Sequence, residues 1–153
     1  MPLPSHLNSD PHATSKLSDC KVVEVPEFPD ESGNLTVVEN GKSAPFDFCR
    51  VFYLHGMPEW SVRGSHSKFE CHQLILAING GCDIDVTDGA GTETYHLDRS
   101  NMGLVVPPGI WCDLKNFSPG VVVLVLADTP YSEEDYVRSR EEFDALTAHK
   151  RTK

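Results

Sequence analysis

Ionisable side chains alternate along the segment 62–73, whose sequence is VRGSHSKFECHQ. The residues at every second position are His66, Lys68, Glu70 and His72. On an extended strand these side chains share one face, with successive members about 6.6 Å apart, because side chains alternate with period two. Four ionisable groups cannot lie together in a dry core. This face is therefore predicted to line water, a ligand cavity or a metal.

Proton transfer is the chemistry predicted for this face. An unperturbed imidazole titrates near about 6.5, so His66 can remove and return a carbon-bound proton at neutral pH. A hydrogen-bonded structural histidine is the alternative. Lys68 or His72 is expected to assist, with His72 as a second acid/base or only a hydrogen-bonding neighbour. Tyr53 is either a further proton donor or a packed tyrosine. The predicted catalytic residues are His66, Lys68, His72 and Tyr53.

Arginine, aromatic and thiol side chains elsewhere in the chain could bind a ligand. Arg63 precedes the flexible Gly64 and could hold a phosphate with its planar guanidinium, or simply lie at the surface. Trp111 is predicted to stack on a planar ligand or to pack in the core. Cys112 is a small apolar residue unless a positive charge activates its thiol. The predicted substrate-binding residues are Arg50, Arg63, Trp111 and Cys112.

The composition indicates one acidic domain. The chain has 153 residues, with 13 Lys and Arg against 23 Asp and Glu, and a formal net charge of -10. Nucleic-acid binding requires a cationic surface, so no nucleic-acid partner is expected. The longest apolar run, 121–127, is too short to span a bilayer, so no membrane partner is expected either. Five cysteines without a CxxC pair favour free thiols in the cytoplasm.

Short β-rich runs separated by turn residues occupy most of the chain from Lys21 onward. They cover 21–25, 35–39, 49–54, 73–78, 83–87, 92–97, 103–106 and 121–127. Asn-Gly and Asp-Gly pairs between them provide the positive φ of tight hairpins, and this spacing predicts an all-β sandwich or barrel. Only the end of the chain predicts a helix, starting near Ser132 and continuing through Phe143 and Leu146.

Residues 1–18 differ from the rest of the chain in composition. They are rich in Pro, Ser, His and Asn, and they lack both hydrophobic periodicity and the apolar segment of a secretory signal. They are predicted to form a flexible leader, with a role as a ligand-binding arm as the alternative. Residues 19–153 then form a single domain.

Two segments resemble the paired motifs of the cupin superfamily, small β jelly rolls with the site inside the barrel. The first is 62–73, and the second is 103–116, where the turn Pro107-Pro108-Gly109 sends the chain back through Trp111. The resemblance implies a jelly-roll barrel followed by the C-terminal helix. It also implies that both segments contribute side chains to one interior site.

The metal-ligand pattern of cupins is incomplete in this chain. Metal-binding members have His-x-His, then a Glu, and a last His after the Pro-x-Gly turn. Lys68 stands at the place of the second His, His72 roughly at that of the Glu, and Cys112 at that of the last His. Protonated lysine is a poor ligand, so no metal and no other cofactor are expected. A zinc site formed by His66, His72 and Cys112 is the alternative.

A narrower resemblance covers nearly the whole chain from Val22 onward. The residues that carry it are 30–39, Pro45-Phe46, 50–53, Arg63-Gly64-x-His66, Gln73, Asp88-Gly89, Pro107-Pro108-x-x-Trp111 and 135–138. In this order and spacing they resemble the WxcM-like cupins, whose best-known members are dTDP-4-keto-6-deoxyglucose 3,4-ketoisomerases. The resemblance implies a homodimer, a nucleotide-sugar pocket in each barrel and a proton shuttle between C3 and C4 through an ene-diol. It also implies that His66 is an active-site histidine.

Three ligand-facing positions depart from the family pattern. Lys68 replaces the second histidine, Ser32 replaces an arginine that can meet the diphosphate, and Cys112 replaces a histidine after the tryptophan. The framework is retained while these positions change, which indicates an inherited fold with altered chemistry or substrate. The alternatives are an isomerase or cyclase acting on another small molecule, and a non-catalytic binding protein.

Lys68 is the most informative of these changes. Inside the cavity it could reprotonate carbon, stabilise an enolate oxygen or hold an anionic substrate, and burial beside Arg63 would lower its pKa. The alternative is that its aliphatic stem extends to the barrel mouth and leaves the charge in water.

Overall fold

The computed structural model describes residues 10–152. Its strands are β1 (Lys21–Glu24), β2 (Glu27–Asp30), β3 (Gly33–Thr36), β4 (Arg50–Leu54), β5 (Arg63–Lys68), β6 (Gln73–Asn79), β7 (Cys82–Thr87), β8 (Thr92–Leu97), β9 (Met102–Val106), β10 (Trp111–Lys115), β11 (Val122–Ala127) and β12 (Tyr136–Val137). The α-helices are α1 (Pro11–Thr14) and α2 (Arg140–Leu146), and 3₁₀ turns cover Leu17–Asp19, Glu133–Asp135 and Ala148–Arg151.

Two five-stranded antiparallel sheets form the body of the protein. Their strand orders are β1-β9-β6-β11-β4 and β12-β5-β10-β7-β8. Side chains from both sheets meet in one core, in which Ile75, Ile84, Leu104 and Val123 are at most 2% exposed. The all-β prediction is confirmed. Within residues 10–152, no helix is long and apolar enough to cross a bilayer.

The C-terminal helix begins later than predicted. Ser139 is its N-cap, with the side-chain oxygen accepting a hydrogen bond from the backbone N–H of Glu142, and the predicted start at Ser132 is wrong. Residues 136–137 instead form β12, which pairs with β5 through Tyr136↔Lys68 and Val137↔Ser67. An edge strand with unpaired N–H and C=O groups gains hydrogen bonds from this pairing, which explains why the short segment is extended.

The described part of the predicted leader packs on the domain. Residues 1–9 lie outside the described residues. Residues 10–18 pack on the second sheet: His12 is fully buried against Phe69 and Phe143, and the Ser15 hydroxyl donates to the Pro108 carbonyl at 2.7 Å. The flexible leader predicted up to residue 18 is wrong for this stretch, because a buried imidazole and these contacts anchor it.

Strand β5 carries a bulge immediately before His66. Gly64 and Ser65 have positive φ angles of 83° and 55°, and the register with β10 shifts between Cys112 and Asp113. A Cβ atom on Gly64 would lie 2.9 Å from the Cys112 carbonyl oxygen, so this position requires glycine. The bulge determines which side chains of the next residues, 66–68, point into the interior.

Candidate active site

A cavity of about 390 Å³ lies between the two sheets. It is bounded by the inward faces of β4, β5, β6, β10 and β11 and by β12. Its lining residues are Phe52, Leu54, Val62, Arg63, Gly64, Ser65, His66, Gln73, Ile75, Cys112, Leu114, Val125, Tyr136 and Arg138. The wall combines apolar side chains with polar and charged ones in similar proportion.

His66 is the titratable group in the middle of this cavity. It lies opposite Cys112 across the β5–β10 ladder, and its ring makes an edge-to-face contact with Tyr136 at 5.1 Å between centroids. Burial, reinforced by the nearby positive charges of Lys68 and Arg138, lowers the pKa of His66 to about 4. The imidazole is therefore neutral at physiological pH and can accept a proton.

Lys68 is buried beside His66. Its side chain follows His66 at the next alternate position of β5, and only 3% of the residue is exposed. Among residues 10–152, its ammonium Nζ has no hydrogen-bond partner. Its nearest compensating group is the Tyr136 ring, with Nζ 4.6 Å from the centroid. The alternative in which Lys68 extends to the barrel mouth is wrong. The positive charge of Lys68, which lies against the Tyr136 ring, acts on His66 in the cavity.

Tyr136 and Arg138 complete the cavity wall, although the sequence did not suggest them as site residues. The Arg138 guanidinium lies 4.2 Å from the Tyr136 ring centroid and pairs with Glu133, whose Oε2 accepts from Nη2 at 3.0 Å. Two cations thus flank one phenol ring. Both residues belong to the family-like motif 135–138, but the predicted helix there concealed that they line the cavity.

Three of the predicted binding residues lie in or beside the cavity. Cys112 lines it from β10, and burial raises the pKa of its thiol, so the sulfur is a neutral packing group and not a nucleophile. Arg63 is exposed at the cavity rim. Arg50 lies behind Phe52 on the inward face of β4, with its guanidinium 5.4 Å from that ring and its Nε buried without a hydrogen-bond partner.

His72 lies outside the cavity, so the shared face predicted for His66 and His72 is wrong. Strand β5 ends at Lys68, and residues 69–72 turn before β6 begins. The His72 side chain is 44% exposed, and its Nδ1 lies 2.8 Å from Asp128 Oδ2. The alternation of an extended strand does not continue through this turn.

Tyr53 and Trp111 also face away from the cavity. Phe52 and Leu54 point inward on β4, so the intervening Tyr53 points outward and is 61% exposed. Trp111 is buried on the outer side of the second sheet, where it packs on Phe143 with ring centroids 5.5 Å apart. Within one copy of the chain, the predicted roles of Tyr53 in catalysis and Trp111 in stacking on a ligand are wrong.

The alternative zinc site is not assembled. His66 and Cys112 meet in the cavity, but the third proposed ligand, His72, is bound to Asp128 outside it. Among residues 10–152, no three His, Cys, Asp or Glu side chains converge as metal ligands do.

The architecture and the cavity define a small cupin-type barrel with an interior acid/base site. Residues 18–148 match the model of the WxcM-like, C-terminal family (FdtA). The chain is 32% identical over 128 residues to a TDP-4-oxo-6-deoxy-alpha-D-glucose-3,4-oxoisomerase of Aneurinibacillus thermoaerophilus, over 84% of this chain and 92% of the relative. This chain belongs to the WxcM-like, C-terminal family.

Solved structures show the same architecture. A 3,4-ketoisomerase from Helicobacter canadensis superposes with a TM-score of 0.82 at 32% identity, covering 85% of this chain and 98% of that one. QdtA, a sugar 3,4-ketoisomerase from Thermoanaerobacterium thermosaccharolyticum solved in complex with TDP, superposes with a TM-score of 0.84 at 28% identity, covering 88% and 98%. The predicted cupin-type jelly roll with a C-terminal helix is confirmed.

Titration of His66 tests the electrostatics of the site. In an NMR titration, with His66→Asn used for assignment, its imidazole is expected to titrate with a midpoint near pH 4. Lys68→Met should raise the midpoint, because the neighbouring positive charge is lost while burial remains. Lys115→Met removes an ammonium that pairs with Asp85 on the outer surface and should leave the midpoint unchanged. Equal midpoints in Lys68→Met and the wild type would show that the lysine charge does not act on His66.

Proposed function

We propose that this protein is an isomerase that moves the keto group of a TDP-4-keto-6-deoxy sugar between C4 and C3. The observation that carries the proposal is a neutral histidine in an interior cavity beside a buried, unpaired ammonium. Membership of the family and similarity to proteins named as sugar ketoisomerases support the substrate class.

His66 is the proposed base in this reaction. It takes the proton from C3, which is acidic because C4 is a ketone, and the electron pair forms an ene-diol across C3 and C4. The imidazolium, whose N–H protons exchange with solvent, then gives a proton to C4, and the hydroxyl proton moves from O3 to O4. The isomerisation is thereby complete with no net gain or loss of atoms or electrons. A base whose pKa lies below the working pH is neutral and ready to act, and general-base catalysis typically contributes about 10²- to 10⁴-fold.

Lys68 is the proposed electrostatic stabiliser. The oxygens at C3 and C4 gain negative charge as the ene-diol forms, and a preorganised positive charge in a dry site lowers the free energy of that state. Within the part of the chain that the structure describes, no carboxylate lies within hydrogen-bond distance of the Lys68 ammonium, and its charge acts on His66 in the cavity. In this role Lys68 acts without direct contact with the sugar.

The nucleotide is proposed to bind at the open end of the cavity. Arg63 and Arg138 both line it, and guanidinium groups bind phosphate oxygens with paired hydrogen bonds. Cys112 belongs to the interior wall, where the sugar ring would lie, and Arg50 packs on the Phe52 ring of that wall. The structure of QdtA was solved with TDP bound, which supports a TDP-linked ligand.

A divergent isomerase acting on another small molecule is the second candidate, and Ser32 favours it. The Ser32 hydroxyl donates to Asp30 at 2.6 Å in the β2–β3 turn, so this turn presents an anionic group where the family resemblance implied an arginine. A non-catalytic binding protein is a third possibility. A thermal shift with TDP tests the nucleotide, and turnover separates an enzyme from a binder.

A homodimer is proposed from the β2–β3 hairpin. This hairpin pairs with no other strand within residues 10–152, and its cross-strand neighbours Phe28 and Leu35 are 59% and 61% exposed. An isolated two-stranded hairpin is marginally stable, and burial of its apolar pair against a second copy would stabilise it.

The cytoplasm is the proposed location. Cys20, Cys49, Cys71, Cys82 and Cys112 are all free thiols. Free thiols persist in a reducing compartment, which supports this proposal.

Histidine substitutions test the catalytic assignment. His66→Asn should lower turnover of a TDP-4-keto-6-deoxy sugar at least about 100-fold, because the base is lost. His72→Asn is the matched control: it removes an imidazole four-tenths exposed outside the cavity and should retain most of the activity. Conversion is followed by NMR of the sugar protons. Wild-type turnover in His66→Asn would contradict the assignment, as would equal losses in both variants.

Lysine substitutions in the hairpin test the homodimer. The wild type should sediment as a dimer at micromolar concentration, and Leu35→Lys should shift it toward the monomer, because a charge then replaces an apolar contact. Asn34→Lys adds the same charge next to Leu35, at a position whose cross-strand partner is Pro29, and should leave the dimer intact. A monomeric wild type, or equal dissociation of both variants, would contradict the proposed contact.

A further inference from the structure

Three polar side chains form a hydrogen-bonded chain on the outer side of β5. Asp10 Oδ1 lies 2.7 Å from His12 Nδ1, and His12 Nε2 lies 2.7 Å from the hydroxyl of Ser67. Nδ1 donates to the Asp10 carboxylate, and Nε2 and the Ser67 hydroxyl share the second hydrogen bond. These contacts join the N-terminal segment to the strand that carries the site.

The order Asp10–His12–Ser67 is that of a nucleophilic triad, but its burial excludes that function. His12 is 0% exposed and Ser67 is 1% exposed. The His12 ring lies between Phe69 and Phe143, with centroid distances of 4.9 and 5.8 Å. No substrate can reach the Ser67 oxygen, so the chain of hydrogen bonds holds the structure in place and does no chemistry of its own.

Ser67 lies between the two site residues. Because side chains alternate along a strand, holding the Ser67 hydroxyl on the outer face holds His66 and Lys68 on the inner face. A slip of one residue would exchange the faces of all three. The bulge at Gly64 and Ser65 leaves β5 less regular than an ordinary strand just before these residues, so β5 needs an additional contact to fix them.

The buried charge of Lys68 destabilises β5, and the His12–Ser67 hydrogen bond counteracts this effect. Its ammonium is buried without a hydrogen-bond partner, and such a charge favours any rearrangement that returns it to water. Backbone hydrogen bonds resist this: the Gly109 N–H donates to the Lys68 carbonyl at 2.8 Å. Within residues 66–68, the His12–Ser67 hydrogen bond is the side-chain contact made by the central residue.

We propose that His12 is a positioning residue, which acts through Ser67 to keep His66 and Lys68 on the inner face of β5. The match to the family model begins at residue 18, so this anchor lies outside the matched region and belongs to the N-terminal segment of this chain. Only the kinetic part of the test depends on the proposed function. The orientation of Lys68 is measurable without any substrate.

Chemical labelling of Lys68 is the test that needs no substrate. Reductive methylation of the wild type, followed by peptide mass spectrometry, should modify Lys68 slowly. Ser67→Ala removes one oxygen and leaves the strand intact, and it should speed modification of Lys68 on the order of tenfold, because loss of a buried hydrogen bond favours local opening. Ser15→Ala is the matched control, since it removes another side-chain hydrogen bond between this segment and the barrel. It should leave Lys68 labelling unchanged.

The His12 side of the pair is tested by a double-variant cycle. His12→Gln should speed labelling as Ser67→Ala does, and the double variant should show no further increase, because one hydrogen bond connects the two residues. If His12→Gln does not fold, the comparison of Ser67→Ala with Ser15→Ala is sufficient to test the proposal. Wild-type labelling in Ser67→Ala, or equal acceleration in Ser15→Ala, would overturn the proposal.

Kinetics with a TDP-4-keto-6-deoxy sugar separate positioning from general stability. Ser67→Ala should lower kcat about 10- to 100-fold with KM nearly unchanged, because misplacement of a catalytic group by about 1 Å has effects of this size. Ser15→Ala should leave kcat unchanged. Faster Lys68 labelling with wild-type kcat in Ser67→Ala would overturn the positioning role. An inactive wild type would instead contradict the proposed function. The labelling result would still show whether His12 and Ser67 fix the orientation of Lys68.

Discussion

The buried ammonium of Lys68 is the constraint around which the site is organised. An unpaired charge removed from water costs several kcal/mol, and here the compensating contact is the face of the Tyr136 ring. The charge remains buried because two contacts fix β5: its pairing with β12 and the hydrogen bond between Ser67 and His12 of the N-terminal segment. The same charge lowers the pKa of His66, so the element that is costly for stability is the one that prepares the proposed base.

The short strand β12 both forms part of the cavity wall and places an aromatic ring against the charged side chains of the site. Its pairing with β5 places Tyr136 opposite Lys68, and Tyr136 in turn contacts His66 and stacks with Arg138. One aromatic ring thus contacts both a buried cation and a cation of the cavity wall while it forms part of that wall. The proposed reaction uses this arrangement, since negative charge forms only transiently on the sugar and the positive charge is already in place.

Local sequence patterns predicted most of the fold. They failed where contacts between residues distant in sequence determine the structure. The hairpin turns and apolar runs predicted the core strands β4, β6, β7, β9 and β11, because each follows from neighbouring residues, but they did not include β10. The turn after Lys68 interrupts the alternation that joined His66 to His72, and no residue in that segment signals it. The sequence pattern placed Tyr136 in a helix because its strand exists only through pairing with β5. It placed His12 in a leader because the burial of this residue depends on Phe69 and Phe143, which are distant in sequence.

The central claim is that this site moves a proton between C3 and C4 of a TDP-linked keto sugar. Its most direct test is incubation of the wild-type protein with TDP-4-keto-6-deoxyglucose in deuterium oxide, with NMR used to locate the deuterium. We predict a 3-keto product with deuterium at C4, and deuterium at C3 of the recovered substrate. Recovered sugar that is neither converted to the 3-keto isomer nor deuterated at either carbon, from protein that binds TDP, would contradict this claim.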